Sequence, residues 1–419
     1  MNLLLSTQMD IFWIIFLVLI GACVGSFLNV VIYRLPRSQS IVFPGSHCPG
    51  CGRSIKWFDN IPLLSYLVLR GKCRACKTSI SPRYIIVEAV TALLVAGLYV
   101  WYFVLDMREI GGVDNVGGAG SFLENWPMFT AHAALLCGLL VCAAVDIEMW
   151  IVPLEVTWVI SILGIAASAY QPHPFMPEIS ATTAGVSLAA LVGLGLAVLL
   201  MHLGFIQPSF MDAGEKPMTE KPPVPPKNGR HSSGQKKEAK SVAITAQYGV
   251  NPRVEVLREM LFLGPVIILA VAAWAVLEYI PAVGTAWNSL LSDADNPLLA
   301  RHLGGASAAI FGYLIGGLWI WGTRIFGTLA FGKEAMGMGD VHILAAVGAV
   351  TGWVVPSFAF FVAPLLGLSW AVYLWLRRNQ KELPYGPWLA VASFLVMLFY
   401  DVFAAFLNDY MRILGLNSN

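Results

Sequence analysis

Ten apolar runs dominate this chain and restrict what it can become. They lie at about Ile11–Tyr33, Tyr84–Leu105, Phe129–Val145, Leu154–Tyr170, Ala184–Phe205, Met260–Ile280, Gly304–Phe326, Val341–Val355, Phe358–Leu376 and Trp388–Leu407. A run of about 20 apolar residues crosses a bilayer as a helix, because backbone polar groups in hydrocarbon must find partners within the segment. The runs beginning at Phe129, Leu154 and Val341 are short for this and are expected to extend into the flanking turns. Only 12% of residues are charged and 57% are hydrophobic, against about 25% charged in a soluble protein. The expected fold class is an all-α polytopic membrane protein of about ten transmembrane helices, with a small cytoplasmic zinc-binding loop domain. The first run has neither a basic segment before it nor a small-residue cleavage site, and reads as a retained span. No internal repeat is visible.

Charge in the loops orients the spans, because Lys and Arg concentrate on the cytoplasmic side. Residues 34–83 carry nine basic residues and one acid, Asp59. Residues 207–253 carry eight basic residues, and Arg377, Arg378 and Lys381 follow the ninth run. Asp106, Glu109, Asp114 and Glu124 outnumber Arg108 after the second run, which suits the outside. An outside N-terminus and ten alternating spans satisfy every loop. The chain then divides into a first span (1–33), a cytoplasmic four-cysteine segment (34–83), spans two to five (84–206), a proline-rich cytoplasmic linker (207–257) and spans six to ten (258–419). The tract Pro222-Pro-Val-Pro-Pro226, followed by Gly, Ser and Lys, cannot bury a core and reads as a solvated connector. The net charge of +1 says nothing by itself about nucleic acid, and the distribution of charge is what informs; membrane lipid is an expected partner and nucleic acid is not.

The same alternation puts two acids, Asp146 and Asp340, at the cytoplasmic edge. Asp340 opens an apolar helix behind Gly337-Met-Gly339, whose glycines permit a turn and close approach of another chain. Each acid alone has an ordinary explanation: Asp340 as a helix N-cap and Asp146 as a hydrated span end. Together they offer paired-carboxylate hydrolysis of a peptide bond. Glu88 lies within the second span and serves either an interhelical hydrogen bond or the active cavity.

Seven cysteines occur. Cys23, Cys137 and Cys142 lie in apolar runs and are expected to be packed thiols. Cys48-Pro-Gly-Cys51 and Cys73-Arg-Ala-Cys76, separated by 21 residues, offer four thiolates to a tetrahedral ion. Structural Zn²⁺ suits them best, with redox chemistry, unmetallated thiols or an iron–sulfur site as the alternatives.

Several ordered blocks resemble one family. Gly25-Ser-Phe-Leu-Asn-Val-Val-Ile-Tyr-Arg-Leu-Pro36 is similar to the opening signature of the type IV prepilin leader peptidases. His47-Cys-Pro-Gly-Cys51, Trp57 to Tyr66, Cys73, Cys76 and Ser81-Pro-Arg-Tyr84 continue the likeness. Ala143-Ala-Val-Asp146 with Ile151-Val-Pro153 looks like the first aspartate motif, and Gly337-Met-Gly-Asp340 like the second. The resemblance implies a GxGD-type aspartic endopeptidase with Asp146 and Asp340 catalytic. Gly337, Gly339, Glu88 and Gly25 would support substrate or motif, and prepilins or pseudopilins of type II secretion would be the substrates. It also implies S-adenosylmethionine as methyl donor for N-methylating the new terminus. A non-methylating peptidase and a multispan transporter with a zinc-stabilised cytoplasmic cap are the alternatives. The chain departs from the family where Leu154 follows Pro153, with Glu155 one place later. The two aspartates stand 194 positions apart, which suggests an insertion holding the fifth span, the proline-rich tract and the sixth span.

Overall fold

The computed structural model describes residues 2–107, 119–171, 176–210, 252–292, 297–378 and 384–413. The proline tract Pro222–Pro226 and most of the 207–257 linker lie outside the described residues, as do Arg108, Glu109, Asp114 and Lys381. Every apolar run forms helix. The helices are α1 (Asn2–Arg34), α2 (Leu64–Val68), α3 (Arg83–Tyr99), α4 (Ala119–Glu124), α5 (Trp126–Met149), α6 (Leu154–Tyr170) and α7 (Ala181–His202). They continue as α8 (Pro252–Tyr279), α9 (Pro281–Leu290), α10 (Pro297–Phe331), α11 (Met338–Thr351), α12 (Val354–Arg378), α13 (Gly386–Leu398) and α14 (Tyr400–Ile413). Among the described residues the only β pairing is two isolated bridges in the cysteine loop, His47 with Ser54 and Lys72 with Ser79.

Among the described residues seven helices are long and apolar enough to cross a membrane, and α6 and α11 are shorter apolar helices. The tenth expected span differs in shape: α13 and α14 meet at an 80° bend, where Phe399 leaves helical geometry (φ −102°, ψ 32°). The carbonyl of Leu398, just before the bend, accepts the indole N–H of Trp101 at 3.2 Å, which gives one terminal carbonyl of α13 a partner.

Two compact units are present. The first comprises residues 1–179, 289–317 and 339–419. Its centre is α11, where Val341 and every residue from Ile343 to Thr351 are buried. Glycine lets its neighbours come close. A Cβ on Gly312 of α10 would strike the Gly348 carbonyl of α11, one on Gly316 would strike the Leu344 carbonyl, and one on Gly164 of α6 would lie 2.7 Å from the Ala349 carbonyl. Helices in lipid gain little from apolar burial against each other and associate through such close backbone packing. Likewise α1 crosses α3 with Gly21 on Ala92 and Gly25 on Glu88, each leaving no room for a Cβ.

The second unit comprises residues 180–288 and 318–338. Its α7 and α8 pack through Gly193, which faces the Pro265 carbonyl and Val266. Arg324, 2% exposed, donates to Glu259 at 2.6 Å and also pairs with Glu334 and the Met336 carbonyl. Its guanidinium stacks 4.8 Å over the Phe210 ring. Glu255, also buried, accepts the Phe210 amide and pairs with Arg258 at 2.9 Å.

Cys137 and Cys142 are buried as expected, but Cys23 is exposed. It sits on the outward face of α1, a long helix whose partners cover only one side.

Candidate active site

Asp146 lies in the last turn of α5. The helix ends one turn later because Trp150 adopts a left-handed conformation and returns its N–H to the Asp146 carbonyl at 3.0 Å. Ile151, Val152 and Pro153 then lead into α6. Asp340 is the third residue of α11. The two motif blocks meet directly: a Cβ built on Gly339 would stand 2.6 Å from both Cβ and Cγ2 of Val152. Gly339 therefore serves close packing of one block on the other. Gly337 is exposed in the turn before α11. A Cβ built on Gly386 would lie 2.7 Å from Asp146 Oδ2 and 3.5 Å from Ile343 Cδ1, three residues after Asp340, so α11 passes close to the Asp146 carboxylate. Asp146 is 7% exposed, and its Oδ2 accepts the main-chain N–H of Gly386 at 3.1 Å.

Gly386 and its neighbour Tyr385 escaped the sequence reading. Tyr385 stands at the cap position of α13, directly before Gly386. The signal present was Pro384-Tyr-Gly-Pro387, a turn sequence set against the last apolar run; nothing local tied it to either aspartate.

Glu88 and Gly25 meet where α3 crosses α1. Glu88 Oε2 accepts the backbone N–H of Leu63 at 2.7 Å, where Leu63 holds φ +60°. It thus pins the cysteine segment to α3, a bond to a loop rather than to another span. Asn29, from the opening motif, adds a bond to the Tyr84 carbonyl at 3.0 Å. Arg83 pairs with Glu148, joining the start of α3 to the end of α5, two residues beyond Asp146. Among the described residues no hydrogen bond joins Glu88 to either aspartate.

The four cysteines of the two CxxC pairs converge, their sulfurs all within 4.8 Å of one another. Each pair is a tight turn. Gly52 (φ +69°) returns its N–H to the Cys48 carbonyl, and Lys77 (φ +59°) does the same to Cys73. Cys48 and Cys76 Sγ lie 3.7 Å apart, against about 3.8 Å between sulfurs around a tetrahedral zinc with bonds of about 2.3 Å. Hydrogen bonds with the Thr78 hydroxyl and amide bring the Cys76 thiol down to about 6. The amides of Cys76 and Ala75 lower Cys73 as well. The donor set can hold a metal ion, and four protein ligands leave no open position for catalysis.

Fold and site together define a polytopic helical membrane protein with two acids brought together at helix ends and a four-thiol loop beside the first span. The family described as "Bacterial Peptidase A24 N-terminal domain" matches residues 19–103. A prepilin leader peptidase/N-methyltransferase of Klebsiella pneumoniae is 35% identical over 40% of this chain and 68% of its own length. One of Pseudomonas aeruginosa is 23% identical over 92% of this chain and 89% of its own, and one of Myxococcus xanthus is 43% identical over 36% of this chain. The chain covers 39% of the Myxococcus relative's length. No solved structure matches. The chain belongs to the prepilin leader peptidase/N-methyltransferase family.

Proposed function

We propose that this protein is a membrane-embedded aspartic endopeptidase that removes the leader peptide of prepilins or pseudopilins, with Asp146 and Asp340 as its catalytic pair facing the cytoplasm from the inner membrane. The observation that supports the reading is the meeting of the two motif blocks, with Gly339 on Val152 and Gly386 set against both the Asp146 carboxylate and Ile343 of α11. Two neighbouring carboxyls would hold one proton between them, because two like charges close together repel. The ionised member takes a proton from a water molecule as the oxygen attacks the scissile carbonyl carbon. The protonated member donates to the carbonyl oxygen, and a proton then reaches the leaving nitrogen as the C–N bond breaks. Water reaches the pair from the cytoplasmic face.

Cys48, Cys51, Cys73 and Cys76 would hold Zn²⁺, which would cross-link the two knuckles and take no part in hydrolysis. The relatives' names support N-methylation as a second activity, with S-adenosylmethionine as donor. A cavity of about 470 Å³ between α1 and α3, lined by Val18, Leu63, Ala92, Ala96 and Trp101 among others, is apolar. Its lining offers no match to the ribose and amino-acid ends of that donor.

The test is cleavage of a purified prepilin by the protein in lipid, with Asp146→Asn and Asp340→Asn made separately. Each is expected to lower the rate by at least about 10³-fold. Normal cutting by either variant removes the two-carboxylate mechanism. A labelled methyl donor in the same assay tests the second activity, and leader removal without label leaves a peptidase alone.

A further inference from the structure

Asp146 has one described hydrogen bond to another element, and it comes from 240 residues away. The donor is the first residue of α13. The early amides of any helix lack intrahelical partners and need a cap. α13 has no side-chain cap of its own: Tyr385 occupies the cap position with helical backbone angles and supplies no side-chain bond. The Asp146 carboxylate fills that role at 3.1 Å. The donor is also glycine for a reason of space. Gly386 is not among the residues with positive φ, so the turn does not require glycine. A Cβ there would stand 2.7 Å from Asp146 Oδ2, 3.3 Å from its Cγ and 3.5 Å from Ile343 Cδ1 on α11. Any other side chain would displace the carboxylate or the helix.

We propose that Gly386 is a positioning residue for the reaction: its amide fixes one oxygen of Asp146, and its missing side chain lets the carboxyl group stay where its other oxygen can share a water with Asp340. The inference rests on the reading of Asp146 and Asp340 as the catalytic pair. With Oδ2 occupied by the amide, Oδ1 is the oxygen left for the water. The carboxyl is then held by three elements: α5 carries it, α13 orients it and α11 brings its partner.

Gly386→Ala tests this in the purified full-length protein with a prepilin substrate. The expected result is a kcat lowered about 10- to 100-fold, as for a displacement of about 1 Å at a reacting group, with KM within about twofold of the parent. Gly195→Ala, where an added Cβ meets open space, is the control and keeps parent kinetics. A second measurement guards against a variant that simply folds poorly. Gly386→Ala is also made in an Asp146→Ala background, where no carboxylate remains to clash. There the added methyl group should shift Tm by about 1 °C or less, against several degrees in the parent. If Gly386→Ala fails to fold alone, the double variant should recover. An unchanged kcat, or equal Tm losses in both backgrounds, overturns the proposal. Asp146→Asn cutting normally would instead overturn the catalytic pair, so the two failures are distinguishable.

Discussion

At Gly339 one methyl group decides whether the two acid-bearing segments meet. Val152 follows Asp146 by six positions, and its Cβ and Cγ2 occupy the place a Gly339 side chain would take. Gly339→Ala must push α11 and its Asp340 away from the α5–α6 turn, or rotate Val152 off its contact. Cleavage by Gly339→Ala is expected to fall about tenfold or more, since misplacement of a reacting group by about 1 Å costs up to two orders of magnitude. Trimming the opposing side chain in Gly339→Ala/Val152→Ala should return part of that loss, as residues in contact couple. Kinetics on the single and double variants measure this, and a double variant no better than the single would show that Gly339 matters for another reason. Gly25 illustrates the alternative use of the same residue type. Its missing Cβ lets α1 lie on the Glu88 backbone of α3, a matter of helix spacing with no described bond to either acid.

Elements were legible in this sequence to the extent that their signal was local. All ten apolar runs became helix, and the spacing of Cys48, Cys51, Cys73 and Cys76 announced a four-sulfur cluster, because short turns set both. Contacts made across the chain left no such trace. Neither the Glu88 bond to the Leu63 amide nor the Gly386 bond to Asp146 has a periodicity to read. The 80° bend between α13 and α14 hid inside one continuous apolar run. Arg324 does carry a local signal: a guanidinium within an apolar span demands an anionic partner. That partner is Glu259 on α8, with both side chains 2% exposed. Removing one member of a buried pair leaves a charge without compensation, and Arg324→Met is expected to destabilise the protein by about 3–5 kcal/mol. Arg324→Met/Glu259→Met should recover most of the loss, because no buried charge of that pair then remains. Denaturant or thermal unfolding in detergent reads the difference. Equal stability of the parent and Arg324→Met would mean the pair is hydrated in the membrane protein.

For the molecule as a whole, the nearness of Asp146 and Asp340 constrains how many times the chain crosses the bilayer. Asp146 ends α5 and Asp340 begins α11, so an even number of crossings must separate them. The helices α6, α7, α8 and α10 provide four, provided that α6 crosses; α9, with 10 residues, is too short to do so. The 17 residues of α6 span about 26 Å at 1.5 Å each, slightly less than the hydrocarbon core of about 30 Å. The 14 residues of α11 span about 21 Å, and this shorter helix is the most enclosed in its unit. Enclosure is what permits the shortfall, since non-helical backbone at membrane depth is tolerated where protein surrounds it. Parity and the basic residues of the sequence lead us to propose one topology, with the cysteine segment, the end of α7 and the turn before α11 inside, and the start of α10 outside. Single cysteines at exposed positions test this with a membrane-impermeant thiol reagent. Leu298→Cys, at the start of α10 and 73% exposed, is expected to label in intact spheroplasts. Phe205→Cys, just after α7 and 78% exposed, should label only once the membrane is opened. If both label from the same side, α8 does not cross as drawn. If Phe205→Cys labels from outside and Leu298→Cys only after opening, the chain is inverted and the acid pair faces away from the cytoplasm.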